Sequence, residues 1–488
     1  METRGFFPQG ACYLLVFLTC VLLFVKVRSR RVRQVTVLAL SFALYLTWTP
    51  WFVAVLATSI LVNFLLGKWL CRNPHWLPLS AGVIFNLALL GAFKYLPELA
   101  VQLSSHALRT FFDLALPLGI SFWTFQAMSY LFDVYREQQL DPSLIEFALY
   151  MAFFPVTVSG PVCRMPEMLP QFRSEEKTSW RDVAQGLRRI ATGVLMMQMA
   201  RLLGQGILAG DGIVSGFDSA TQRSGADVWC LAFGYGLQLF FDFAGYTHVA
   251  VGAAKALGIT VPENFERPFS STSPSVFWTR WHMSLSFWIR DYVFFPLAVL
   301  RREMWWRNLA LVVSMVMFGV WHRASLLFLI WGFYHGGLLV LHRQIQSLER
   351  KFSWEPPGKL WTALSWMATI ASVSLGWIFF RSNSVSQAKA MLAAVVSPQE
   401  YTSHSLSLSL YALVAALGTG YALVLVIAAV LDRQAEQPAA RAGAGALALI
   451  ARWRWFWIPA VYALALLFVL MITQTQEGGV GQFLYRGF

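Results

Sequence analysis

Few side chains in this sequence can do chemistry, and the notable ones interrupt apolar runs. His322 lies in FGVWHRASLLFLIWGFYHGG, residues 318–337. A neutral imidazole is tolerated in such a run and an imidazolium is not, and a neutral histidine is what a general base requires. His335 follows 13 residues later, on the far side of the helix expected here, so the two are not a metal pair by spacing. In QLFFDFAGYTHVA, residues 238–250, Gln238, Asp242, Tyr246 and Val249 fall on one helical face. Asp242 either ties helices together or lines a polar path. His248 is turned about 120° from it, so no dyad is evident.

A third place is Glu263 to Pro296, ENFERPFSSTSPSVFWTRWHMSLSFWIRDYVFFP. Its charges and aromatics exclude a plain lipid-facing span, and an interfacial or re-entrant helix fits better. His282, Ser286 and Arg290 are four apart, so a helix sets them on one face suited to line a polar cavity. A fourth is Pro155 to Pro170, PVTVSGPVCRMPEMLP, whose prolines and glycine point to a broken helix or re-entrant turn. The chain lacks GxSxG, a P-loop, GxGxxG and HExxH. No metal site is expected.

The elements that must position these residues follow from composition. Of 488 residues, 57% are hydrophobic and only 13% charged, against roughly 25% in a soluble domain. With 21 Trp, 39 Phe and a mean hydropathy of +0.55, the chain needs lipid to cover its surface. Disorder, a disulfide scaffold and a nucleic-acid module are excluded. The net charge of +13 comes from bases scattered between apolar runs, which read as topology signals. The cluster from Lys26 to Arg33 places that end of the first run in the cytoplasm. Because it follows the Ala11 to Val25 run, that run reads as a retained helix and not a signal peptide. The five cysteines are never closer than eight residues, and no CxxC exists.

Further apolar runs cover Val35 to Leu66, Leu77 to Leu96, Leu114 to Phe132, Ile145 to Val158, Ile190 to Leu208, Val228 to Leu257, Phe277 to Leu300 and Leu309 to Leu341. The last three are Leu360 to Phe380, Leu408 to Leu431 and Trp455 to Ile472. Roughly 11–13 membrane helices are expected. They form one all-α domain over 1–488, with a polar stretch at about 163–189, a re-entrant segment at about 263–296 and a catalytic helix at about 309–341. Ser403 to Ser409 and Pro438 to Ala446 read as loose loops. No internal repeat is visible, which weakens a transporter reading.

These motifs, in order, resemble the membrane-bound O-acyltransferase family, and within it the bacterial branch of the alginate O-acetyltransferase membrane subunit. The resemblance rests on FKYL at 93–96, LPLGISFWTFQAMSYLFDVY at 116–135, FFPVTVSGPVCRMPEMLPQF at 153–172 and FDFAGYTHVAVG at 241–252. FWTRWHMSLSFWIRDYVFFP at 277–296, the pairs Trp321-His322 and His335-Gly336, and Phe379-Phe380-Arg381 complete it. It implies a ring of tilted helices around a central tunnel in a bacterial inner membrane. It also implies catalytic roles for His322 and His282, with Asp242, Tyr246, Ser286, Arg290 and Arg323 lining the path. The donor would be acetyl-CoA or another acyl thioester, with no tightly bound cofactor. The acceptor would be an extracytoplasmic polysaccharide, reached through a separate serine-hydrolase-like acetyltransferase. Three positions depart from the family pattern: Arg323 replaces a glycine, His248 an aspartate and Leu326 a tryptophan. The alternatives are a transporter or flippase for a lipid-linked glycan or acyl carrier, working through Asp242, and a non-catalytic scaffold.

Overall fold

The computed structural model describes residues 6–47, 50–97, 116–136, 140–207, 211–219, 223–353 and 358–435. The expected span Trp455 to Ile472, the loop Pro438 to Ala446 and the first residues of the Leu114 run lie outside them. Among the described residues the regular structure is helical, apart from one isolated bridge pairing Phe265 with Trp281.

The first half comprises α1 (Phe6–Lys26), α2 (Arg30–Leu46), α3 (Pro50–Arg72) and α4 (Trp76–Leu90), which runs into a π-helical turn, Gly91–Tyr95. Then come α5 (Ile120–Tyr135), α6 (Leu144–Ala152), α7 (Met165–Arg173), α8 (Trp180–Gln205) and α9 (Ile213–Asp218). The second half holds α10 (Gly225–Ala256), α11 (Pro274–Trp278) and α12 (Met283–Ile289), followed by a π turn (Arg290–Phe294) and α13 (Phe295–Ala298). It ends with α14 (Met304–His322), α15 (Leu326–Lys351), α16 (Gly358–Arg381), α17 (Val385–Val396) and α18 (Leu408–Ala435).

Seven of the described helices are long and apolar enough to cross a membrane: α3, α4 with its π turn, α10, α14, α15, α16 and α18. Several runs of spanning length in the sequence form shorter pieces instead. The Ile145 run yields only nine helical residues in α6, because Pro155 removes a donor and disfavours helix at the residue before it. The Leu309 run breaks at Arg323–Ser325, where Ser325 adopts an extended conformation ahead of α15. The helix expected over 309–341 is therefore two helices, and His322 and His335 lie on different ones.

The contacts group the chain into two compact units. Unit 1 takes Met1–Ile190, Tyr246–Asn264 and His282–Ala310; unit 2 takes Ala191–Gly245, Phe265–Trp281 and Leu311–Phe488.

In unit 1, α5 is buried along nearly its whole length, its Ser121, Thr124, Gln126, Ser129 and Asp133 included, and it packs on α3 and α4. Gly67 of α3 leaves the space that the Tyr130 ring fills. Asn63 and Asn86, both fully buried, exchange side-chain hydrogen bonds at 2.7 and 3.3 Å and so tie α3 to α4. Satisfied amide pairs of this kind hold helices together where apolar contact alone does not discriminate between lipid and protein. At the polar edge, Glu146 closes a capping box with Ser143 and receives two bonds from Arg173, at 2.9 and 3.0 Å. The Arg173 guanidinium holds the Glu146 carboxyl down at about 2.

In unit 2, α14 and α15 form an antiparallel hairpin with closely approaching backbones. A Cβ on Gly319 would strike the Phe328 carbonyl, one on Gly332 would fall 2.6 Å from the Val316 Cα, and one on Gly336 would fall 3.0 Å from the Val312 Cα. Small residues at such crossings permit van der Waals packing that larger ones block. The Ser403 to Ser409 stretch is anchored and not loose. Asp227 at the start of α10 accepts from the Ser405 N–H and hydroxyl, the Leu406 N–H and the Tyr411 hydroxyl, at 2.8–3.2 Å.

Two outcomes test these arguments. Gly332→Leu should lower the thermal midpoint of the solubilised protein by the equivalent of about 1–3 kcal/mol. Gly337→Ala, with open space at its Cβ, should leave it unchanged or raise it. Glu146→Gln should be less stable than the parent at pH 7. Because the folded Glu146 titrates near 2 and an unfolded glutamate near 4.3, that difference should persist above about pH 4.3 and shrink as the pH falls toward 2.

Candidate active site

His322 is the last residue of α14 and only 4% exposed. Rings of unit 2 surround it. Phe318, one turn back, stacks on it at 5.3 Å and 16°, while Trp321 lies 4.7 Å away by ring centroid. Phe328 and Trp331 of α15 stand at 6.2 and 6.0 Å, and Phe380 near the end of α16 meets it edge-on at 5.1 Å. Gly319 lets α15 come close enough to deliver Phe328 and Trp331. The result is an imidazole at a helix end, walled by hydrocarbon, which keeps water from any reactive group beside it.

One helical turn past Trp331, His335 is fully buried, with Trp331 at 4.8 Å, Trp278 of α11 at 5.2 Å and Tyr334 at 5.3 Å. Neither of its ring nitrogens has a hydrogen-bond partner among the described residues. Gly376 of α16 faces its Nε2, where a Cβ would overlap the ring. Asp242 is buried on α10, also in unit 2. Arg323 is exposed in the link between α14 and α15.

Tyr246, His248, His282, Ser286 and Arg290 belong to unit 1. His282 is 1% exposed but does not sit on the helical face expected for it. It is the N-cap of α12, with φ +44° and ψ 52°, a left-handed conformation costly for a residue with a Cβ. At the other end of that expected face, Arg290 opens the π turn, is exposed, and donates to Asp291 at 2.7 Å while lying over the Phe287 ring. Ser286 is half-buried between them. The three-residue face is thus bent at both ends, because the four-residue spacing holds only inside a regular α-helix.

The π turn is fixed by residues that the spacing argument did not single out. The Tyr292 hydroxyl donates to the buried Asp133 at 2.6 Å, and Arg164 donates to Asp291 at 2.7 Å. The Arg136 and Arg164 guanidiniums each lie 5.2 Å from the Tyr292 ring centroid. His248 accepts from the Arg189 Nε at 3.2 Å, and Arg189 also pairs with Glu263. A residue that replaces an aspartate of the resembled pattern therefore still offers an acceptor to an arginine.

The family model for MBOAT, the membrane-bound O-acyltransferase family, matches residues 41–381, from α2 to the end of α16. A probable alginate O-acetylase AlgI of Pseudomonas putida is 32% identical over 402 residues, covering 79% of each chain. The peptidoglycan O-acetyltransferase of Helicobacter pylori is 31% identical over 395 residues, covering 72% of this chain and 71% of that one. A teichoic acid D-alanyltransferase of Bacillus subtilis is 31% identical over 280 residues, covering 54% and 68%. With seven helices of spanning character and a match that runs through both candidate histidines, the chain belongs to the membrane-bound O-acyltransferase family and is a multi-pass membrane O-acyltransferase.

Proposed function

We propose that the protein passes an acetyl group from a cytoplasmic thioester donor, such as acetyl-CoA, to an extracytoplasmic polysaccharide through a separate serine-hydrolase-like partner, with His322 as general base. The observation that carries this reading is the burial of His322 among Phe318, Trp321, Phe328, Trp331 and Phe380. Acyl transfer to a hydroxyl needs a base for the hydroxyl proton and a site without water, which would otherwise hydrolyse the thioester. In the proposed step the imidazole takes the hydroxyl proton while the oxygen attacks the acyl carbonyl carbon. The tetrahedral oxyanion then collapses, the C–S bond breaks, and the imidazolium returns its proton to the departing thiolate.

Topology supports the direction of transfer. Arg350 and Lys351 end α15, and Lys359 lies in the first turn of α16, so the positive-inside rule favours the cytoplasm for that end of the hairpin. His322 packs against Phe328 in the first turn of α15, about 33 Å along the helix from Arg350. This supports a base reached from the face away from the cytoplasm, as transfer to an extracytoplasmic polysaccharide would require. The names of the similar proteins, an alginate O-acetylase and a peptidoglycan O-acetyltransferase, favour a glycan acceptor.

His322→Ala should reduce polysaccharide acetylation in cells by about 10²- to 10⁴-fold at equal protein level. Unchanged acetyl content would remove His322 from the mechanism. Phe380→Ala tests the water-excluding wall separately. In purified protein supplied with acetyl thioester, free acetate released per acetyl transferred should rise severalfold, and an unaltered ratio would show that the ring is not a barrier to water.

A further inference from the structure

His282 is held in its left-handed conformation by a small polar cluster of unit 1 centred on Asn264. We propose that Asn264 is a positioning residue for acyl transfer, acting through His282 and through the chain break that His282 occupies. The inference rests on the reading of His282 as a site residue.

Asn264 is fully buried. Its carbonyl accepts from the Met283 N–H at 2.9 Å, so the peptide that follows His282 is fixed directly. Its side-chain Oδ1 accepts from the Ser284 hydroxyl at 2.6 Å, and its Nδ2 donates to the Thr247 hydroxyl at 3.1 Å. Ser284 in turn accepts from the Val162 N–H at 3.0 Å. One amide side chain thereby joins three segments. They are the proline-broken stretch around residue 162, the polar half of α10 at Thr247, and the entry to α12. Ser284 and Thr247 are themselves buried, so no water competes for these bonds.

A non-glycine residue at φ +44° persists only when its surroundings over-determine it. The Met283 and Ser284 bonds supply that constraint on the two residues immediately after the strained one. Without them His282 relaxes toward an ordinary helical or extended conformation, which swings its imidazole away from its buried position. The Asn264 side chain bonds to Ser284 and Thr247 and has no titratable group, so its effect is indirect.

The test uses the full-length protein in native membranes and in detergent. Asn264→Leu keeps approximate size and removes both side-chain bonds; Ser284→Ala removes one of them, together with the bond from the Val162 N–H, and leaves the Asn264–Thr247 bond in place. The first readout is carbethoxylation of His282 and of His322 by diethyl pyrocarbonate, quantified on peptides by mass spectrometry. The second is polysaccharide acetylation in cells at equal protein level. Asn264→Leu should raise His282 labelling severalfold, leave His322 labelling within twofold, and lower acetylation about tenfold. Ser284→Ala should change the same two readouts in the same sense, and the double variant should lose less than the sum of the two single losses, because both remove the one Asn264–Ser284 bond. Unaltered His282 labelling in both variants, or labelling that rises without loss of acetylation while His282→Ala abolishes it, would overturn the proposal. If His282→Ala itself retains acetylation, the role assigned to His282 fails, and His282 labelling still reports whether Asn264 holds it.

Discussion

A polar group enclosed by hydrocarbon must be hydrogen-bonded, held by geometry, or given something to do, since leaving it unsatisfied costs on the order of 1–3 kcal/mol. That constraint organises the whole molecule. Where structure alone is at stake, the polar groups close on one another, as Asn63 does with Asn86, or Asp227 with Ser405, Leu406 and Tyr411. Around His322 stand the rings of Phe318, Trp321, Trp331 and Phe380, which fix the imidazole by shape. An aromatic wall of this kind excludes water, as the proposed acyl transfer from a hydrolysable donor requires.

Glycine placement is what makes such a wall possible. The ring cage needs α14 and α15 near enough for Phe328 and Trp331 to reach the end of α14, and Gly319, Gly332 and Gly336 allow it. Gly376 does the same for His335 against α16. In each case a side chain of ordinary size would separate the helices, so backbone approach and site geometry are one property.

Much of this was legible from residues alone. An ionisable side chain within a long apolar run stands out because lipid penalises it, and His322, Asp242 and His335 are all buried where that logic places them. The helical class followed from hydropathy, and the family from ordered motifs. What periodicity missed has a common cause: it assumes an unbroken helix. Arg323–Ser325 splits the run that was expected as one helix, and the left-handed His282 and the π turn at Arg290 break the face drawn through residues 282, 286 and 290. The local cues for these breaks are weak. Ser325 is an ordinary cap-type residue, and nothing in the letters around His282 marks a positive φ.

The remaining misses are long-range. Asn264 meets Ser284 across 20 residues, Ser284 meets Val162 across 122, and Tyr292 meets Asp133 across 159. Asparagine, serine and threonine are common enough that their presence in a sequence signals nothing until the fold brings them together. Yet these are the groups that can decide how a strained segment is held, because a bond made away from water is not exchanged for a solvent one when the segment shifts. In a membrane enzyme the few ionisable residues advertise the chemistry, whereas the neutral amides and hydroxyls behind them set its geometry. Asp133 under the Tyr292 hydroxyl and Asn264 under Ser284 represent the two forms of that support in unit 1: one anchors the π turn after α12, the other the first turn of α12 itself. Buried partners therefore hold both the start of α12, beside the left-handed His282, and the π turn that follows it.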